Sequence, residues 1–200
     1  MKVAVTAALL ALSAPAAWAF DLDLGFAHPA MTLEEFRAVP WPAGTSVRCS
    51  GEADLPPESD NVRLSVPGPV ARLGGTRCGL FSQDAAGWHT IGLPLAGADA
   101  EVWAKFFPDR DGTPRLLHLI LQQPAAAFGP LSRHFTEQFG PADLHRDGLA
   151  RWQTAEAEAT IIADGGPSLL AFVIDTRLQA ALHARTSHHL RRPAAKDSHP

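Results

Sequence analysis

Short stretches of alternating apolar and polar residues, bounded by proline or glycine, recur along this chain between residues 45 and 175. Alternation with a period of two places every second side chain on one face of a strand, and glycine and proline favour the turns between strands. The stretches predicted to form strands are residues 45–50, 61–66, 76–81, 88–93, 101–107, 115–122, 151–153, 156–163 and 168–175. Because regular strand–helix alternation is missing, the pattern predicts an α+β fold with a largely antiparallel sheet.

Helical patterns occur in only a few segments. Thr32 and Glu35 have the spacing of a capping box and predict a short helix that ends before Pro40. Residues 125–139 and residues 176–185 carry apolar side chains at the three- and four-residue spacing of one helical face. The sequence therefore predicts a sheet packed by two or three short helices.

The first nineteen residues have the pattern of a cleavable secretory signal peptide. Lys2 supplies a positive charge, residues 3–12 are apolar, and Ala17 and Ala19 give the small-x-small pattern of a cleavage site. A spanning helix needs about 20 apolar residues, so this run is too short to be retained as an anchor. We expect cleavage after Ala19, a periplasmic location in a bacterium, and no integral membrane segment in the mature chain.

Two cysteines, Cys49 and Cys78, are the only ones in the chain. In an oxidising compartment, two cysteines on separate predicted strands most simply form one disulfide. The chain-entropy model gives a stabilisation of about 3–4 kcal/mol for a loop of this length. The chain contains no Cys-x-x-Cys motif, which would suggest a redox-active or metal-binding thiol.

Length and charge indicate one acidic domain followed by a basic end. Residues 20–185 suit a single α+β domain, and residues 186–200 are expected to form a disordered basic tail that contains histidines. Residues 20–183 carry 12 lysines and arginines against 20 aspartates and glutamates. An acidic body without a basic patch argues against nucleic acid as a partner.

An acidic motif, Asp109-Arg-Asp111-Gly-Thr, resembles the signature of the haloacid-dehalogenase phosphohydrolases. In that family the first aspartate is a nucleophile and the second a general acid, with Mg²⁺ bound nearby, which would make this chain a metal-dependent hydrolase. His118 is a further candidate base in such a site. The family also needs a downstream lysine or arginine and acidic metal ligands, and Lys196 is the only lysine after the motif. A hairpin turn between residues 107 and 115 explains the same residues without chemistry.

An aromatic pair, Trp103 and Phe107, lies on the more polar face of a predicted strand, together with Glu101 and Lys105. If exposed, the pair would be an anchor for a ligand or a partner protein. Core packing under a helix explains the same pattern and is favoured, because helices normally cover one face of a sheet.

Residues 101–162 also have a recurring order of elements: a strand, a glycine turn, a second strand, a helix and a tryptophan-containing strand. The residues that mark this order are Phe107, Gly112, Leu117, Phe135, Phe139, Gly140, Pro141 and Trp152. The segment resembles small uncharacterised exported bacterial proteins and, more distantly, the small outer-membrane-assembly lipoproteins of the BamE/SmpA kind. This chain lacks the lipid-attachment cysteine of those lipoproteins and has additional strands before the segment, so the resemblance transfers no functional residue.

These observations favour a non-enzymatic module that binds an envelope protein or a small ligand, with no cofactor and no metal site. Trp103 and Phe107 are the candidate binding surface, and Cys49 and Cys78 the candidate disulfide. The alternative is a metal-dependent envelope hydrolase of unfamiliar type that uses Asp109 and Asp111. The chain contains no Gly-x-Ser-x-Gly motif, which would suggest a serine nucleophile.

Overall fold

A computed structural model describes residues 22–53, 55 and 64–191, with side chains described as far as residue 187. The predicted signal peptide and cleavage site, and residues 192–200 of the predicted tail, lie outside the described residues.

The described residues form four α-helices and ten β-strands. The helices are α1 (Leu33–Ala38), α2 (Gly68–Arg72), α3 (Phe128–Phe139) and α4 (Thr176–Arg191), with a 3-10 turn at Ala125–Ala127. The strands are β1 (Ser46–Cys49), β2 (Thr76–Asp84), β3 (Gly87–Thr90), β4 (Gly92–Leu95), β5 (Ala98–Pro108), β6 (Pro114–Pro124), β7 (Leu144–Arg146), β8 (Leu149–Gln153), β9 (Ala157–Ile162) and β10 (Ser168–Asp175). Within the described part of the chain, no helix has the length and hydropathy that crossing a bilayer requires.

All ten strands belong to one antiparallel sheet, in the order β1-β2-β5-β6-β10-β9-β8-β7, with β3 paired to β2 and β4 paired to β5. The predicted α+β class and largely antiparallel sheet are confirmed. The described residues form four helices, and the one that the sequence did not predict is α2. This helix follows Pro67 and has only five residues, too few to show a helical periodicity.

Strand alternation gives the sheet two different faces. On the core face, Val102, Ala104 and Phe106 of β5 are buried in the main hydrophobic core, which also contains Phe36 of α1 and Phe135 of α3. The residues between them on β5 point to the other side, which we call the opposite face and which carries Trp103, Lys105 and Phe107. The helix α4 packs on this opposite face, since Leu178 and Leu182 contact Phe107.

A β-bulge interrupts the pairing of β5 with β6 just after Lys105, which pairs with His118. Leu117 is the additional residue of β6, so it and His118 both reach towards α4. Leu117 packs with Leu178, and the His118 ring hydrogen-bonds the Gln179 side chain at 2.5 Å. The bulge therefore fixes α4 through one apolar and one polar contact.

The disulfide predicted from the sequence is present. Cys49 of β1 and Cys78 of β2 are directly paired in the ladder and joined through their sulfur atoms. Both side chains are buried in the main core. The bond links the edge strand β1 to the body of the sheet.

Some predicted segments differ from the structure. Of the predicted strand 61–66, residues 61–63 lie outside the described residues, and residues 64–66 are not part of a strand. Leu64 is instead buried against Trp103. The last helix continues to Arg191, beyond its predicted end at residue 185, because the next helix-breaking residue in the sequence is Pro193.

Candidate functional site

The Trp103 side chain lies in the protein interior. It is 3% exposed and packs with Leu64 and Phe81, with the two aromatic ring centres 5.9 Å apart. Its ring lies across Gly79 of β2, where a β-carbon would come within 2.6 Å of the indole. Trp103 is thus a packing residue beneath the segment that contains Leu64.

Phe107 is also buried, in a different cluster. It is fully inaccessible and packs with Leu117, Leu178 and Leu182 under α4. The Arg185 guanidinium lies 4.6 Å from the centre of its ring, a cation–π contact. Trp103 and Phe107 therefore do not form an exposed binding surface, because the opposite face is covered at both positions.

The turn between β5 and β6 contains the two acidic residues of the sequence motif. One carboxylate oxygen of Asp109 accepts hydrogen bonds from the backbone amides of Asp111 and Thr113, at 2.9 and 3.0 Å. The other oxygen accepts a 2.6 Å hydrogen bond from Nε of Arg115. This arginine, followed by the two amides, holds the pKa of Asp109 below its usual value. Asp109 thus acts as the anchor of the hairpin turn.

Arg115 connects this turn to the N-terminal segment of the chain. Besides its ion pair with Asp109, its guanidinium donates a 3.0 Å hydrogen bond to the carbonyl oxygen of Ala30. Ala30 has a φ of 64°, in the left-handed region that a side chain with a β-carbon disfavours. Strained backbone of this kind persists where surrounding contacts hold it, and here the Arg115 bond and the contact between Met31 and Leu116 hold it.

One side of α4, which carries Arg177, Ala181 and Arg185, faces the turn. Asp175 precedes the helix, is 4% exposed, and accepts a 2.9 Å hydrogen bond from the amide of Leu178. Arg177 forms an ion pair with Glu156 at 2.9 Å. Two helical turns later, Arg185 donates a 3.0 Å hydrogen bond to the carbonyl oxygen of Pro108. The helix is therefore tied to the hairpin through Arg185, and in its first turn to Asp175 of β10 and to Glu156, the residue before β9.

Between the turn, α4 and Ala30 lies an open cleft of about 900 Å³. This volume is in the range of small-molecule sites, which is about 300–1,000 Å³. The residues that line it are Ala30, Pro108, Asp109, Arg110, Asp111, Gly112, Arg115, Asp175, Arg177, Leu178, Ala181 and Arg185. We call this the arginine cleft.

Charges in the arginine cleft do not balance. Asp109 is neutralised by Arg115, and Arg177 is paired with Glu156 outside the cleft. Arg110 and Arg185, by contrast, form no ion pair with any described carboxylate. Asp111 and Asp175 are the other acidic residues of the lining, which has four arginines against three aspartates and therefore one net positive charge. The cleft therefore favours a ligand with a negative charge.

The hydrolase hypothesis requires Asp109, Asp111 and His118 to act together. The two aspartates do line the cleft, but both oxygens of Asp109 are already bound. His118 is not among the cleft residues: it is largely buried under α4, and this burial lowers its pKa to about 4. Across the described residues, no group of three His, Cys, Asp or Glu side chains is arranged to hold a metal ion.

The sequence analysis identified Asp109 and Asp111 of the turn as candidate site residues but did not identify the residues on the other side of the cleft. Ala30, Arg115, Arg177 and Arg185 are distant in the chain or carry no motif. One signal was available: Arg177, Ala181 and Arg185 are spaced by four residues, which places them along one side of a helix. Comparison of the chain with protein-family models, curated proteins and solved structures gives no match.

Proposed function

We propose that this protein is a non-enzymatic binding module of the bacterial cell envelope, and that it holds a small organic anion in the arginine cleft. The observation that carries the proposal is a cleft of ligand size in which Arg110 and Arg185 have no carboxylate partner among the described residues. Guanidinium groups suit carboxylates and phosphates because their planar donors match two acceptor oxygens.

Two arginine side chains of the cleft, Arg115 and Arg185, are held in place before any ligand arrives. Arg185 is fixed by the Pro108 carbonyl and by the ring of Phe107, and Arg115 by Asp109 and Ala30. Arginines that are already ordered lose less conformational entropy on binding, which raises the affinity that each contact contributes. This preorganisation supports a binding site rather than a chance grouping of surface charges.

Binding rather than catalysis is supported by the chemistry of the lining. Among the described residues that form it there is no Ser, Thr, Cys, His or Lys, the usual nucleophiles and proton-transfer groups besides carboxylates. Asp109, the carboxylate that the hydrolase hypothesis makes the nucleophile, has its charge stabilised by Arg115 and two amides. Using it in a reaction would break the turn that it holds together.

The test is a ligand comparison on the mature chain purified from the periplasm of expressing cells. Thermal unfolding is measured at low salt with benzoate, with phenyl phosphate, and with benzylamine as the cationic counterpart of similar shape. We expect both anions to raise the midpoint of unfolding and benzylamine to leave it unchanged, because only the anions pair with Arg110 and Arg185.

Variants locate the effect. The double variant Arg110→Gln/Arg185→Gln is expected to bind the anions at least about tenfold more weakly, which corresponds to about 1.4 kcal/mol. Arg133→Gln, an exposed arginine of α3 outside the cleft, is the matched control and should bind normally. Equal stabilisation by benzylamine, or undiminished anion binding by the double variant, would refute the proposal.

A further inference from the structure

Resting on the proposed function, we infer that the ligand of the arginine cleft is an amphiphile with one anionic head and an apolar body. The inference comes from how charged and apolar atoms are distributed along the cleft, and from the kinds of polar side chain that its lining lacks.

The anionic head belongs at the hairpin end of the cleft. Arg185 is drawn to this end by its hydrogen bond to the Pro108 carbonyl, and Arg110 lies two residues further along the same turn. At the other end, Arg177 is occupied by Glu156 and lies 3.9 Å from Asp175. The hairpin end therefore carries Arg110 and Arg185 against Asp111, whereas Arg177 at the other end lies beside Glu156 and Asp175.

The helix wall between these ends is apolar. Arg177 and Arg185 are eight residues apart on α4, or about 12 Å at 1.5 Å per residue. Ala181 lies midway between them on the same side of the helix, and Leu178 lies one turn before it. Ala30 and Pro108 add further apolar surface to the lining. A ligand whose head contacts Arg185 thus extends along carbon atoms.

The lining also argues against strongly hydroxylated ligands. Besides its arginines and aspartates, the described lining contains only Ala, Pro, Gly and Leu, with no Ser, Thr, Asn, Gln or His. Sugars and nucleotides carry many hydroxyl and amide groups, and each such group that loses water without a partner weakens binding. A carboxylate or phosphate joined to a hydrocarbon body leaves no such group unpaired.

Isothermal titration with straight-chain carboxylates tests the inference on the mature protein. The probes are acetate, butanoate, hexanoate and octanoate, with octanol and octylamine as eight-carbon controls that lack the negative charge. Full burial of a methylene group contributes a factor of about four to affinity. Because the cleft is open, we expect a rise of about two- to threefold per added methylene, and weak binding of both controls.

Two alanines of α4 give a matched pair of variants. Ala181→Leu fills the cleft without changing charge, and it is expected to weaken octanoate binding at least tenfold. Ala180→Leu places the same side chain on an exposed neighbouring position that does not line the cleft, and should bind as the native chain does. Ile162 and Leu170 form an exposed apolar surface where β9 and β10 pair. Loss of octanoate binding in Ala181→Leu but not in Ala180→Leu would exclude that surface as the binding site.

Each result has a defined reading. Equal affinity for acetate and octanoate, both lost in Arg110→Gln/Arg185→Gln, overturns the amphiphile but leaves the anion-binding function intact. If no carboxylate binds, both the anion-binding function and the amphiphile are overturned. If octanol binds as tightly as octanoate, both are also overturned, because the negative charge then contributes nothing to affinity. Octanoate binding that Ala181→Leu leaves unchanged places the apolar body elsewhere and overturns the inference.

The same head-and-tail chemistry occurs in free fatty acids and in membrane lipids. Cosedimentation with phosphatidylglycerol vesicles, lost in Ala181→Leu and retained in Ala180→Leu, supports the inference and identifies a lipid as the source. Octanoate binding without cosedimentation supports it with a free amphiphile as the source.

Discussion

Removing the cap of α4 is expected to loosen the helix wall of the arginine cleft. Asp175 is 4% exposed, and its side chain accepts a 2.9 Å hydrogen bond from the Leu178 amide in the first turn. Replacement of a helix-capping residue by alanine costs about 0.5–2 kcal/mol, and we expect Asp175→Ala near 2 kcal/mol because the freed amide is shielded from water. The ion pair with Arg177 adds little, since that side chain is 58% exposed and the separation is 3.9 Å.

Asparagine at the same position separates the hydrogen bond from the charge. Asp175→Asn keeps an oxygen for the Leu178 amide and loses only the interaction of a negative charge with the start of the helix, about 0.3–1 kcal/mol. Urea unfolding at pH 7 should therefore rank the native chain above Asp175→Asn and the latter well above Asp175→Ala. Hydrogen exchange at the Leu178 amide should accelerate only in the alanine variant.

Two outcomes would contradict this account of α4. If Asp175→Asn loses as much stability as Asp175→Ala, the charge holds the helix start and the hydrogen bond does not. If Asp175→Ala unfolds at the native urea concentration with unchanged exchange at Leu178, the cap does not stabilise α4 at all. The cleft would then owe its shape to the other contacts of α4, which are those of Arg177, Leu178, Gln179, Leu182 and Arg185.

Three further predictions follow from burial and backbone geometry. Trp103→Ala should destabilise the fold by about 3–5 kcal/mol in urea unfolding, because it empties a buried site; weakened ligand binding at native stability would contradict the buried assignment. Ala96→Asn should raise stability by about 0.5 kcal/mol in thermal unfolding, because Ala96 has a φ of 53° before Gly97, where Asn-Gly is favoured; a lower midpoint would contradict it. The pKa of His118 is lowered to about 4, chiefly by burial, whereas an unfolded histidine titrates near 6.5. The unfolded chain therefore takes up this proton first, and stability should fall as the pH decreases from about 6.5 to about 4, with a smaller fall in His118→Gln; identical pH profiles of the two chains would contradict it.

Local signals in the sequence were enough to predict most secondary structure. Thr32 and Glu35 form the predicted capping box, with the Thr32 side chain accepting from the Glu35 amide and the Glu35 carboxylate accepting from the Thr32 amide. Alternation found the central strands because each is long enough to repeat its period several times. It missed β7, which has three residues, and it merged β3 with β4, whose boundary at Ile91 breaks no pattern.

What covers a face could not be predicted from the pattern of the strand beneath it. Alternation correctly placed Trp103 and Phe107 on the more polar face of β5, beside Lys105. Their burial depends on Leu64 and α4, which are far away in sequence. The arginine cleft has the same origin, since its walls come from three separate segments of the chain. A site assembled by tertiary packing leaves only weak local traces, such as the four-residue spacing on α4.

The bulge in β6 makes the cleft sensitive to insertions and deletions in a particular way. Removing Leu117 would restore regular pairing and leave the faces of the residues before it unchanged, because Leu116 already pairs with Phe106 and Arg115 with Phe107. The loss would be the packing of Leu117 on Leu178 and Leu182, so that α4 and the cleft wall that it forms would loosen. Residues 110–112, at the exposed tip of the turn, carry no such constraint. Changes in ligand preference during evolution are therefore expected as length and sequence changes in this turn, while the length of β6 stays constant.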